Sequence, residues 1–271
     1  MATEILVDSH VHVAGTDEVR YPRNPTGAGS DWWRRECGVE NLRQEMDSVG
    51  VQRAVVVQAV GVYGYDCTYA AEVVAADPER LSLVVAIDMA GPDPLRALSE
   101  LLAGSPVAGV RLFGVGASGS EWLTNGRGDE VWRRAAEDGF VIVPTIFPAG
   151  LVALRALMEE HPEVTVALDH CAFPDLGGPG ARTDLLEMAD LPGLHLKVTS
   201  HNLDRDDDPA EFVDLLAAAY GSERLCWGSD HPQHQSMTYP EMVDLARRSA
   251  ANLPPDERAS FLGTNSLDLW W

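Results

Sequence analysis

The chain predicts an α/β fold, a (β/α)8 barrel of the TIM type, from three observations. Short β-rich runs alternate with helical stretches along its whole length, the pattern of βα units around a parallel sheet. Periodicity gives eight such runs, starting near residues 5, 53, 81, 107, 140, 164, 194 and 225. A length of 271 residues suits one such barrel, which takes roughly 250. Residues 1–271 are therefore read as a single domain.

The first run, Ile5-Leu6-Val7, leads straight into Asp8-Ser9-His10-Val11-His12. Side chains at i and i+2 of a strand face the same way. His10 and His12 therefore project together from its carboxyl end, where they suit a divalent ion or a polarised substrate oxygen. The Gly- and Pro-rich stretch from Tyr21 to Ser30 reads as a long loop, with Trp32, Trp33, Arg34 and Arg35 either covering the barrel mouth or anchoring a surface excursion. Gln58 follows the second strand and Tyr63 lies in the loop beyond it. In the fourth run, Gly109-Val110-Arg111-Leu112-Phe113, alternation turns Val110 and Leu112 towards the helices and Arg111 inward. An inward guanidinium either forks a substrate carboxylate or pairs with a core acid. The fifth run, from Val141 to Phe147, carries no histidine, whereas the sixth ends in Leu168-Asp169-His170. The seventh sets Leu194, Leu196 and Val198 against His195, Lys197 and Thr199, and leads to His201 and Asn202. The eighth ends in Gly228-Ser229-Asp230-His231-Pro232.

Between the strands, helices are expected over Val39 to Val49, Tyr69 to Ala76, Pro94 to Leu102, Glu130 to Glu137, Gly150 to Glu160, Thr183 to Ala189 and Pro209 to Ala219. Several are followed by Asp-Pro or His-Pro breakers. In such a barrel the site lies at the carboxyl ends of the strands. His161 closes a helix and His195 sits at the amino-terminal side of its strand, so neither is expected there, and alternation points Cys171 away from His170. His231 and His234 are read as turn or surface residues.

The net charge of −22, from 42 acidic and 20 basic residues, disfavours nucleic acid and anionic membranes as partners. No apolar run approaches the roughly 18 residues of a membrane span, and the amino terminus enters a strand without a basic-then-apolar leader. The expectation is a soluble cytoplasmic protein acting on a small molecule. Cys37, Cys67, Cys171 and Cys226 lack the close paired spacing of a zinc ribbon or redox motif and read as reduced thiols. Lys197 is the sole lysine and lies inside a strand. A structural ion pair low in the barrel is expected for it, with Asp8 as partner, because alternate strands share an interior layer. The terminal Trp270-Trp271 pair either caps the barrel or meets a second subunit, which leaves a homo-oligomer open.

Taken in order, Asp8-Ser-His10-Val-His12, Gly109-Val-Arg111, Leu168-Asp-His170, Lys197-Val-Thr-Ser200, Trp227-Gly-Ser-Asp230-His-Pro232 and Gly263-Thr-Asn265 give the whole chain a resemblance to the amidohydrolase superfamily. Within it the chain is similar to the amidohydrolase-related group of pyrone dicarboxylate, sugar and muconate lactonases and, more distantly, aminocarboxymuconate semialdehyde decarboxylase. The resemblance implies a core of His10, His12 and Asp230 with His170 beside them, holding zinc or manganese. The missing strand-five histidine departs from the zinc-dependent pattern and leaves a metal-free version open, in which the three histidines donate hydrogen bonds to the scissile carbonyl. In either version Asp230 is the general base that activates water. The reaction expected is hydrolysis of a small, carboxylated lactone or cyclic ester, with Arg111 on the carboxylate and Gln58, Tyr63, His201 and Asn202 as further substrate contacts. Two rivals stand beside it: metal-dependent nonoxidative decarboxylation, and a barrel that only binds a metabolite or a protein.

Overall fold

The computed structural model describes residues 4–25, 31–115 and 120–271. Its eight parallel strands follow one another round the sheet in chain order. They are β1 Val7–Val11, β2 Arg53–Val57, β3 Leu81–Ile87, β4 Val107–Phe113, β5 Val141–Thr145, β6 Val166–Leu168, β7 Leu194–Thr199 and β8 Leu225–Gly228. The ends of the sheet meet where Asp230 N donates to His10 O at 2.9 Å and His12 N donates to His231 O at 2.7 Å. This is the TIM-barrel fold that the alternation predicts. Of the long first loop, residues 26–30 lie outside the described residues.

Burial on both faces explains the near-continuous apolar runs of the strands. Val110, Leu112, Leu194, Leu196 and Val198 belong to the large core between sheet and helices, as alternation requires. Val55, Val57, Val84, Val141, Val143 and Ala167 form a separate cluster with Trp270. Trp270, at the end of the helix Asn265–Trp270, therefore caps the barrel, and its carbonyl accepts from Ser82 Oγ at 2.9 Å. The indole needs room from its neighbours: a Cβ on Gly109 would stand 2.9 Å from its Cζ3.

The expected helices are present at closely similar bounds, among them Thr68–Ala75, Pro94–Gly104, Arg127–Asp138 and Pro209–Tyr220. An eighth barrel helix, Tyr239–Ser249, follows β8 behind a capping box of Thr238 and Glu241. Short helices at Val60–Tyr63 and Ser200–Asp204 shape the loops after β2 and β7. Among the described residues no helix is long and apolar enough to cross a membrane.

Departures from simple alternation in β1 and after β6 shape the site. In β1 the register shifts between Asp8 and Val11, and Leu6, Val11 and Val13 all join the same outer core although they differ in parity. Asp8 consequently meets Tyr239 Oη, at 3.0 Å, on the outer helix, while His10 and His12 turn inward. Strand β6 ends at Leu168, after which His170, Cys171, Ala172 and Phe173 take φ of 52°, 52°, 58° and 55°. Each such left-handed residue other than glycine costs about 1–2 kcal/mol. The run is held by Asn202 Nδ2 donating to His170 O at 2.8 Å and by burial of Cys171 and Ala172.

Candidate active site

At the carboxyl end of the barrel β1 delivers His10 and His12, β6 delivers Asp169 and His170, and β8 delivers Asp230, all of them buried. The left-handed turn after Leu168 lets the consecutive residues Asp169 and His170 both reach His10. Asp169 Oδ1 lies 3.1 Å from His10 Nδ1, and the ring centroids of His170 and His10 are 4.8 Å apart. Trp32 covers this group, stacked on His12 at 5.9 Å and itself buried.

The outer partners of the three imidazoles determine which nitrogen faces the centre. His12 Nδ1 lies 2.8 Å from Val57 O, which can only accept. His170 Nδ1 lies 2.8 Å from Thr199 Oγ1, whose own hydrogen goes to Asn202 Oδ1 at 3.1 Å. His10 Nδ1 faces the Asp169 carboxylate. In each neutral ring Nδ1 therefore carries the proton and Nε2 keeps its lone pair. His10 Nε2 and His12 Nε2 stand 3.3 Å apart, and they lie 3.7 and 3.4 Å from Asp230 Oδ1, a buried atom with no hydrogen-bond partner.

Electrostatics keep this arrangement in place. Burial, followed by the Lys197 charge, pushes the His10 imidazole well down, and burial pushes His170 down to about 4. Burial opposes ionisation of Asp230, but His12, His170 and His10 outweigh it and hold the carboxyl well below its usual range. Burial likewise opposes ionisation of Asp169, and Lys197, His10 and Arg111 outweigh it. The Nε2 atoms of His10 and His12 thus converge with a buried carboxylate oxygen of Asp230, a set that fits a divalent cation of the zinc or manganese kind. The ligand atoms of His10, His12 and Asp230 lie within 4.8 Å of one another, as do those of His10, Asp169 and His170.

The remaining expected contacts divide. His201 lines a cavity of about 540 Å³ over Asp230, together with Asp204, Arg205, Gln233, His234 and Ser236. Tyr63 instead secures the first loop, its Oη accepting from Gly15 N at 2.8 Å and Arg23 Nη1 at 3.2 Å. Gln58 stitches the loop after β2, its Nε2 donating to Gly64 O and Asp66 O at 2.9 Å each. Asn202 caps the helix after β7 and steadies His170. Arg111 does face inward, but its Nε is committed to Thr145 Oγ1 at 2.7 Å and Asp169 Oδ2 at 2.9 Å, the core-acid alternative. The Lys197 partner is Asp169, at 3.1 Å, rather than Asp8, because the β1 irregularity turns Asp8 outward. Sequence reasoning passed over Asp169 and Thr199. The signal for Asp169 was present, since two inward cations, Arg111 and Lys197, require a buried anion. A cavity of about 730 Å³ lies elsewhere, between the helices Thr68–Ala75 and Pro94–Gly104, and none of the histidines lines it.

Comparison with known proteins adds a family and a set of relatives. The family described as Amidohydrolase matches residues 7–270. An L-fucono-1,5-lactonase of Burkholderia ambifaria is 24% identical over 211 residues, covering 73% of this chain and 71% of its own. An amidohydrolase of Burkholderia multivorans, solved with bound zinc, superposes with a TM-score of 0.80 at 21% identity over 98% of each chain. An Acinetobacter baumannii protein described as a probable 2-pyrone-4,6-dicarboxylic acid hydrolase, solved with citric acid, gives a TM-score of 0.75 at 18% identity over 97% of this chain and 98% of that one.

Proposed function

The chain belongs to the amidohydrolase family of enzymes, and from that premise we propose that it is a metal-assisted hydrolase of small hydroxylated lactones. The observation that carries the reading is the orientation of the rings: the Nδ1 atoms of His10, His12 and His170 face outer partners, and the Nε2 atoms of His10 and His12 stand beside Asp230. His10, His12 and Asp230 would hold the ion, and the His170 ring stands 4.8 Å from that of His10. When bound, a divalent ion supplies Lewis-acid polarisation of a carbonyl and acidification of water.

Asp230 is ionised at neutral pH and ready to accept a proton from the attacking water, then to return it to the ring oxygen as the lactone opens. Its depressed basicity makes it a poor base towards ordinary water, which favours a site where water is first made more acidic. Trp32 and the buried walls exclude bulk solvent from the histidines. The mouth is polar, with Gln233 beside a linked set of His234, Ser236 and Asp204, a lining suited to hydroxyls, while its Arg205 is half exposed and 3.4 Å from Asp175. With the Arg111 Nε engaged by Asp169, a hydroxylated ring fits better than a substrate with several carboxylates. The lactonase activity named for the Burkholderia ambifaria relative supports this choice of class.

The test is a panel of sugar-derived and dicarboxylate lactones, scored by acid release in a weakly buffered indicator assay, with zinc supplied. Hydrolysis of the hydroxylated members, lost by roughly 100-fold or more in Asp230→Asn, is expected. Release of carbon dioxide from carboxylated substrates without lactone hydrolysis would move the assignment to a decarboxylase.

A further inference from the structure

We infer that Asp169 is a positioning residue whose carboxylate sets the working face of His10, with Lys197 and Arg111 as the cations that keep it in place. The inference rests on the preceding reading only in taking the Nε2 side of His10 as the side that works. Asp169 is completely buried at the end of β6 and gathers four polar groups from four other strands. Its Oδ1 lies 3.1 Å from both His10 Nδ1 on β1 and Lys197 Nζ on β7. Its Oδ2 accepts from Arg111 Nε on β4 at 2.9 Å and Thr145 Oγ1 on β5 at 2.7 Å.

The chemistry follows from this crowding. A carboxylate 3.1 Å from Nδ1 requires the hydrogen to be on Nδ1, because two lone pairs facing at that distance repel. The opposite nitrogen is then bare, as a ligand must be. An acid with His10 as its only partner could swing away or take up the proton itself. Two buried cations remove both options, since each would be left uncompensated in the barrel. This gives the one lysine of the chain a role: its stem runs through the barrel interior to place Nζ over the Trp270 ring, 5.4 Å from its centre, and against the acid that orients His10. Arg111, on the opposite oxygen, fixes the carboxylate plane.

The test is the imidazole ¹⁵N pattern of His10 in metal-free protein, which distinguishes protonated from bare Nε2, combined with zinc affinity measured against a chromophoric chelator. In the wild type His10 is expected to be the Nδ1-protonated form. In Asp169→Asn it is expected to become a mixture of tautomers, with zinc bound 10- to 100-fold more weakly. Should two unopposed cations prevent that variant from folding, Asp169→Asn combined with Lys197→Met removes one of them and is read in the same way. A wild-type His10 protonated on Nε2, or a folded variant with the wild-type tautomer and zinc affinity, would overturn the inference. Neither readout uses turnover, so an inactive lactone panel leaves this inference standing; a folded Asp169→Asn with the wild-type tautomer and zinc affinity overturns this inference alone, whereas a wild-type His10 protonated on Nε2 overturns it and removes the support for the metal-assisted reading as well.

Discussion

Gly228 is where the closing seam of the barrel and the candidate metal site meet, and its replacement by alanine tests both. A Cβ on Gly228 would lie 2.8 Å from His10 Cβ, 3.1 Å from His10 N and 3.1 Å from Ser9 Oγ. Ordinary carbon contacts are about 3.5–4.0 Å, so β8 has to withdraw from β1 by roughly 1 Å. The neighbouring bonds, Asp230 N to His10 O at 2.9 Å and Ser229 N to Asp8 Oδ1 at 2.8 Å, leave little slack. Overpacking of this kind costs about 1–3 kcal/mol, or about 2–12 °C in midpoint at 2–4 °C per kcal/mol for a chain of this size class. Because the strain falls on the backbone that carries His10 and Asp230, zinc affinity falls with it. The assay is thermal unfolding of metal-free protein together with chelator-competition zinc binding, with Gly50→Ala as control. Gly50 has φ of 81° and open space around it, so its substitution strains the backbone by about 1–2 kcal/mol without touching the site. If Gly228→Ala matched the wild type in both midpoint and zinc affinity, the close seam would be refuted.

Stability in the presence of chelator should fall with pH. Burial holds His170 down to about 4, and burial with the Arg35 charge does the same for His231, whereas an unfolded histidine titrates near 6.5. Between those values the unfolded chain binds protons that the native chain refuses, so stability is present above about pH 6.5 and is lost as pH falls towards 4. The slope approaches about 1.4 kcal/mol per pH unit for each histidine, and urea midpoints that stay flat from pH 7 to 4.5 would contradict it. All four thiols are buried and free, and burial pushes Cys37 and Cys226 up to about 11 and Cys67 up to about 12. A disulfide reagent at pH 8 should therefore find four thiols in denaturant and almost none in the native protein. Rapid native labelling would contradict the packing around them.

The barrel was legible because its signal is repeated: eight apolar runs and their intervening helices each report the same architecture. Inward Arg111 and outward Val110 and Leu112 followed from a period of two. That logic failed where the backbone leaves the ideal strand. The irregularity in β1 reverses the parity of Asp8, and the left-handed run from His170 to Phe173 allows two consecutive residues to face one centre. No periodicity encodes either feature. Tyr63, Gln58 and Asn202 were visible as polar residues near strand ends, but sequence could not show that their hydrogen bonds are consumed by loop backbone and by one another's neighbours. The lone lysine was conspicuous in composition, and only the fold identified Asp169 as its partner.

The most direct test of the account is a zinc titration of chelator-treated protein, with lactone hydrolysis followed in the same cuvette. One equivalent of tightly bound zinc, with hydrolysis rising in proportion and both abolished when His10 and His12 are replaced by alanine, is the predicted result. Full hydrolysis in excess chelator, or protein that binds no zinc at neutral pH, would contradict the claim that His10 and His12 present their Nε2 atoms to a cation beside Asp230.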